Sequence, residues 1–183
     1  AVFFGSKAAR YLRAKVMAGD GIGLSGGRAI FSMVDYFPAM PRLFSPVTGL
    51  SMGGDSEHPE YAPGPLAGHL KAKLSPDSWS WGLLLPQTGD QEADRAYVRH
   101  VRQGREFREA RDRALGFRWH VVELEAAGTG DPPGCAGRFN YEPFNREGGS
   151  GYGDPEGERN VLLIDDFRTL AAKSDYRIVG IPS

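Results

Sequence analysis

The sequence predicts an α+β domain, with a mixed or mostly antiparallel sheet of about five or six strands, packed by one long charged helix and joined by long Gly/Pro-rich ordered loops. Three observations lead there. Residues 90–115 place Ala93, Ala96, Tyr97, Val101, Gly104, Phe107, Ala110, Ala114 and Leu115 on or beside one apolar arc, opposite Arg95, Arg99, Arg102, Glu106, Glu109 and Arg113, as in an amphipathic helix. Directly afterwards Phe117-Arg-Trp-His-Val-Val-Glu-Leu-Glu-Ala126 switches to a two-residue period with apolar side chains on both faces, as an interior strand requires. Glycine (25) and proline (13) together exceed their usual share, which assigns much of the chain to loop.

Taken in order, residues 6–18 read as a helix capped by Ser6, with Ala9, Leu12 and Val16 inward, Lys7, Arg10, Arg13 and Lys15 outward, and Gly19 as its stop. The run from Gly19 to Gly27 holds G-x-G-x-x-G spacing at Gly21, Gly23 and Gly26. A phosphate cradle needs a strand before that spacing and a helix after it. Here the predicted order is the reverse, so the run reads as a flexible turn. Residues 28–37 read as a strand stopped by Pro38 and Pro41. Residues 45–68, with nine glycines and prolines in twenty-four, read as a long irregular connection and a candidate contact surface. Residues 78–86 read as a buried strand with Trp79 and Trp81 on one face.

Thr88 or Asp90 caps the long helix, Gly116 closes it, and Gly104 is where it can kink or divide, because an interior glycine costs about 1 kcal/mol relative to alanine. In the strand that follows, Glu123 and Glu125 share the face of Trp119; two neighbouring carboxylates must emerge into solvent or meet arginine there. Residues 126–157 hold thirteen glycines and prolines in thirty-two, interleaved with Phe139, Tyr141, Phe144 and Tyr152, and read as an ordered loop pinned by its aromatics. Residues 160–173 read as a strand, an acidic turn and a short helix, before a last strand over 176–181.

At 183 residues the chain fits one globular domain, 1–183, and 40% hydrophobic with 11% aromatic residues argue against disorder. A net charge of -1 and a pI near 6.5 disfavour nucleic acid and anionic membrane as partners. No apolar run is long enough to span a bilayer. The single cysteine, Cys135, excludes an internal disulfide framework and a structural zinc site built on two or more cysteines, and reads as a small packed residue. Asp55, Glu57, His58 and Glu60 are of metal-ligating type, but no second histidine is spaced to join them, so no metal site is assigned.

Two stretches point to chemistry. The apolar run into Asp165-Asp166, followed by Thr169, resembles the ribose-phosphate motif of phosphoribosyltransferases; the resemblance implies that Asp165 and Asp166 contact ribose hydroxyls. Leu170 and Ala171 stand where that family has threonine and glycine. Glu156-Gly-Glu158, just before a strand, resembles the E-x-E turn of ADP-ribosyltransferases. That resemblance implies NAD as cofactor, Glu158 orienting its ribose beside Glu156, Arg28 holding phosphate, and Ser78 or Ser80 shaping the pocket. Charge is also segregated: eight arginines lie from Arg95 to Arg118, against six acids and one arginine over 147–166. Such a map steers complementary surfaces together. The leading expectation is therefore a non-catalytic protein-protein interaction or assembly module, binding another protein or copies of itself. An NAD-directed ADP-ribosyltransferase or NAD glycohydrolase is second, and a phosphoribosyl or nucleotide-binding enzyme third.

Overall fold

The computed structural model describes residues 2–52, 58–83, 90–124, 161–162 and 164–182. Its elements run α1 (Val2–Lys15), β1 (Ile22–Leu24), α2 (Arg28–Tyr36), β2 (Val47–Gly49), a short 3-10 turn (Pro59–Tyr61), α3 (Pro63–Ala72), β3 (Ser80–Trp81), α4 (Gln91–Gln103), α5 (Arg105–Gly116), β4 (Trp119–Leu124), α6 (Ile164–Ala171) and β5 (Arg177–Pro182). Among the described residues the sheet has five strands in the order β3-β2-β1-β4-β5, and every pairing is parallel. The expected antiparallel or mixed sheet is thus replaced by a doubly wound α/β fold.

The correction has a local cause. Arg28–Tyr36 are helix, because the buried side chains Ala29, Ile30, Met33 and Val34, with Phe37 just beyond, recur at helical rather than alternate spacing. The glycine run before them supplies the strand: Ile22-Gly-Leu24 is the buried centre of the sheet. Inside the expected irregular connection lie β2 and α3, whose start is marked by Pro63 at its first position and whose Leu66, Ala67 and Leu70 face the core. A strand–helix–strand order forces parallel pairing, since the crossover returns the chain to the same end of the sheet.

Strand alternation then divides the core into two layers. Ile22, Leu24, Val47, Trp119, Val121 and Ile181 pack under α1, α2 and α3. Val122, Leu50, Met52 and Trp81 pack with Val98, Phe107, Ala110, Ala114 and Leu170 from α4, α5 and α6 on the other side. Each fully buried leucine or isoleucine contributes about 1.5–3 kcal/mol by leaving water. Helices α1 and α2 cross closely at Gly5, where an added Cβ would stand 2.5 Å from Ser32 Cβ. Ala9, Leu12 and Val16 are buried as the first helix's pattern requires, although that helix starts at Val2 and Ser6 lies inside it, donating its hydroxyl to the Phe3 carbonyl at 2.9 Å.

The long charged helix is two. Asp90 caps α4 by accepting the N–H groups of Glu92 and Ala93 at 2.9 and 3.2 Å, and Gly104, with ψ of 155°, divides α4 from α5. Along β4, Trp119 and Val121 turn to one layer while His120 and Val122 turn to the other. Its neighbours are β1 and β5, which makes it interior. No helix among the described residues is long and apolar enough to cross a membrane.

Candidate functional site

The strand order reverses between β1 and β4. The chain winds from β1 outward through β2 to β3, then returns across the sheet to place β4 on the other flank of β1. At such a switch point the two crossovers leave in opposite directions, and a crevice opens beyond the carboxyl ends of the strands. Among the described residues, Ser25 to Arg28 after β1 and Glu123 near the end of β4 lie there.

The loop after β1 is held at both ends. The Ser25 N–H donates to the Val121 carbonyl at 2.9 Å, carrying the β1–β4 pairing one residue past the strand. The Ser25 hydroxyl accepts the Glu123 N–H at 3.1 Å and donates to the Gly26 carbonyl at 3.1 Å. The Gly27 N–H donates to the Tyr61 carbonyl at 2.9 Å. Gly27 has φ of +121°, a conformation L side chains rarely adopt, and a Cβ there would coincide with Glu123 Oε2. Glycine is required twice over, by backbone and by space.

Gly27 is the N-cap of α2 and no side chain of its own segment caps the helix. Glu123 does so from the neighbouring strand: its Oε1 accepts the Ala29 N–H at 3.0 Å. A carboxylate at a helix N-terminus is favourable by about 0.3–2 kcal/mol, since the unsatisfied N–H groups leave partial positive charge there. Strand parity explains the placement. Glu123 shares the face of Trp119 and Val121, which is the α2 layer. Its Oε1 meets the Ala29 N–H and the residue is half-buried; Glu125 lies outside the described residues.

Beside the loop stands an aromatic group. The Phe31 and Tyr61 rings meet edge-on at 5.3 Å, and His58 and His69 flank them with centroids 5.2 Å from Tyr61 and 6.5 Å from Phe31. Tyr61 is tied to the loop by its own carbonyl. The rim therefore combines a carboxylate, a hydroxyl, an exposed arginine and half-buried ring faces.

The sequence-predicted site residues are dispersed. Arg28 reaches the switch point, but as the first, exposed residue of α2 and not on an early strand. Ser78 is buried before β3, at the opposite, amino-terminal end of the sheet; its hydroxyl accepts the Ser45 N–H at 3.0 Å and donates to the Leu43 carbonyl at 3.4 Å. Ser80 is exposed on the two-residue strand β3, so the expected buried strand of residues 78–86 is short, and residues 84–86 lie outside the described residues. Asp165 and Asp166 sit inside the first turn of α6 rather than in a turn after a strand. Asp165 is exposed and pairs with Arg168 at 2.8 Å; Asp166 is buried and bound bidentately by Arg111 of α5, whose Nε lies 3.1 and 3.0 Å from its two oxygens. That hydrogen bond raises the Arg111 pKa further. Glu156, Glu158, Asp55, Glu57 and Cys135 lie outside the described residues.

Sequence reasoning assigned none of Ser25, Gly27, Tyr61 and Glu123 to a site, although it singled out Glu123 as a costly carboxylate. The available signal was the doubled glycine at Gly26-Gly27 directly before a helical apolar pattern, hidden by reading that pattern as a strand.

No family model matches the chain, and no curated protein matches its sequence. Solved structures do match its fold. A DeoR family transcriptional regulator from Listeria monocytogenes aligns over 99% of this chain and 74% of its own, with 16% identity and a TM-score of 0.68. The sorbitol operon regulator SorC from Klebsiella pneumoniae aligns over 68% of this chain, with 20% identity and a TM-score of 0.58. The present chain spans only 39% of that regulator. A domain named for sugar binding, from the regulator DeoR of Pseudomonas syringae pv. tomato, aligns over 98% of this chain and 68% of its own, with 20% identity and a TM-score of 0.54. At these identities the likeness is one of fold. It overturns the expected assembly module and the NAD-directed transferase alike, and the phosphoribosyl reading falls with them because Asp166 is engaged by Arg111 within a helix.

Proposed function

We propose that the chain is the ligand-sensing domain of a transcriptional regulator, binding a small hydroxylated molecule of the sugar class at the switch point. The observation that carries this reading is the juxtaposition of Ser25, Arg28 and Glu123 at the carboxyl ends of β1 and β4, beside the Phe31 and Tyr61 rings. Aromatic faces cover the C–H surface of a sugar while a carboxylate and a hydroxyl take its O–H groups, the usual division of a small-molecule site into apolar walls and a few placed polar groups. The named functions of the fold neighbours support the same class.

A thermal-shift panel of pentoses, hexoses, hexitols and their phosphates tests it. A ligand present at a hundredfold excess over its Kd stabilises by about 2.7 kcal/mol, which raises Tm by about 5 to 10 °C for a chain of this length. The expected result is such a rise with at least one member, lost in Tyr61→Ala. A panel with no rise overturns the reading.

Self-association belongs to the same proposal. Helix α1 exposes Val2, Phe3 and Phe4 at 58, 66 and 45%, and the edge strand β5 exposes Ile178. Light scattering that finds only monomer at micromolar concentration removes this part and leaves the ligand reading in place.

A further inference from the structure

We infer that the site takes a disaccharide rather than a single sugar, with the second ring held by Phe31 and His69 between α2 and α3, an inference that rests on the ligand-sensing reading above. Side-chain rings stand in one row there. His58, Tyr61, Phe31 and His69 follow one another with centroids 5.2, 5.3 and 6.5 Å apart. They come from the 3-10 turn and its cap, from α2 and from α3, so packing makes the row and not the period of one helix. A row serving only the core would be buried. Here Tyr61, Phe31 and His69 are half-buried and His58 is exposed.

The row is bounded at both ends. The His58 ring lies against Tyr61, inclined by 31°, and its Nδ1 stands 3.4 Å from Glu60 Oε1. Phe31 is inclined 64° to Tyr61 and 57° to His69, so it forms a corner with each. The first corner, Tyr61 with Phe31, is joined to the loop after β1 by the Gly27 N–H, which donates to the Tyr61 carbonyl at 2.9 Å. The second, Phe31 with His69, lies one ring further along, where α2 and α3 lead away side by side from the parallel strands β1 and β2. One helical turn beyond, about 5.4 Å, Lys73 crosses from α3 to α2. Its Nζ donates to the Val34 and Asp35 carbonyls at 2.8 and 2.5 Å and closes the seam. The span from the first corner to that bridge suits one further sugar ring.

The chemistry suits it too. A pyranose carries C–H groups on its face and hydroxyls around its edge, so it needs an apolar wall with polar groups at the margin. Phe31 supplies the wall. His69 supplies both, because its ring is flat and its nitrogens have no hydrogen-bond partner among the described residues, which leaves them for sugar hydroxyls. Once the first ring is seated, a linked second ring meets its corner at high effective concentration, so even a weak contact raises affinity.

The test is calorimetry on the full chain as wild type, His69→Ala and His69→Phe, with thermal unfolding to establish that each variant folds. The probes are glucose, galactose and fructose, and the disaccharides maltose, cellobiose, lactose and sucrose built from them. The expected result is that the tightest disaccharide binds wild type at least about tenfold more tightly than either of its component sugars. That ratio should fall below about threefold in His69→Ala and be largely kept in His69→Phe, which restores a flat ring. A wild type that takes a single sugar as tightly as its disaccharides overturns the inference and leaves the ligand-sensing reading in place. A ratio unchanged in His69→Ala overturns it as well, since the second ring then sits elsewhere. If none of these sugars binds, the inference fails, while the ligand-sensing reading is decided by the pentoses, hexitols and phosphates of the wider thermal-shift panel.

Discussion

Replacing His120 with glutamine should flatten the acid side of the protein's stability curve. His120 is fully buried on β4, with its Nε2–H donating to the Ala114 carbonyl at 3.1 Å and its Nδ1 accepting the Tyr176 hydroxyl at 3.0 Å. Burial, with a smaller contribution from the positive charge of Lys173, lowers its pKa from 6.5 to about 4; burial raises that of the Tyr176 phenol. The folded protein therefore holds His120 neutral, while the unfolded chain protonates it. A base with a depressed folded pKa contributes stability that is fully present above the unfolded pKa of 6.5 and is lost as pH falls toward about 4. At about 1.36 kcal/mol per pH unit, the gap amounts to about 3 kcal/mol. Urea denaturation between about pH 7.5 and pH 4 measures it, as a wild-type midpoint that falls by about 1 to 2 M more than that of His120→Gln. Subtracting the variant's profile removes the contribution of the carboxylates common to both. Parallel profiles for the two proteins would refute the assignment of the acid sensitivity to His120.

Two further predictions concern the frame of the site. Gly27→Ala should destabilise by at least about 1–3 kcal/mol in chemical denaturation, because φ of +121° is strained for alanine and its Cβ coincides with Glu123 Oε2. The double variant Gly27→Ala/Glu123→Ala relieves the collision but not the strain, so full additivity of the two single losses would contradict the steric part. Arg111→Ala leaves Asp166 buried without its bidentate partner and should cost about 2 kcal/mol, discounted from a fully buried pair because Arg111 is 43% exposed. An unchanged denaturation midpoint in that variant would mean the pair is solvated in practice.

The elements legible in the sequence were those with a strong period and clear punctuation. The first helix repeats Ala9, Leu12 and Val16; β4 carries apolar groups on both faces; Asp90 and Gly104 mark a start and a break. The strand direction was not legible, because it depends on which of two adjacent segments is strand and which is helix. Ile22-Gly-Leu24 is too short to show a period and has a glycine at its centre. Ile30, Phe31 and Val34, residues that favour strands in isolation, sit in α2 because the core takes them at helical spacing. Exchanging those two assignments turns a parallel sheet into an apparent antiparallel one and hides the switch point. The site went with it. Glu123 was seen to be a costly carboxylate, but its contact with the Ala29 N–H depends on residue 29 opening a helix, where that N–H has no partner within the helix. Arg28 opens α2 at the switch point and is not on the early strand expected for it.

The placement of β1 has a consequence for how the chain is made. In the finished sheet β1 is central, with Ile22 opposite Val47 on one flank and Trp119 on the other. During synthesis from the amino terminus, β2 becomes available soon after β1, whereas β4 emerges only after α3, β3, α4 and α5. Until then the centre of the final sheet is an open edge, presenting unpaired backbone groups beside Gly21 and Gly23, which carry no side chain to shield them. A nascent chain halted between α3 and β4 would expose that edge to its neighbours, and aggregation would begin at the strand that ends up most deeply enclosed.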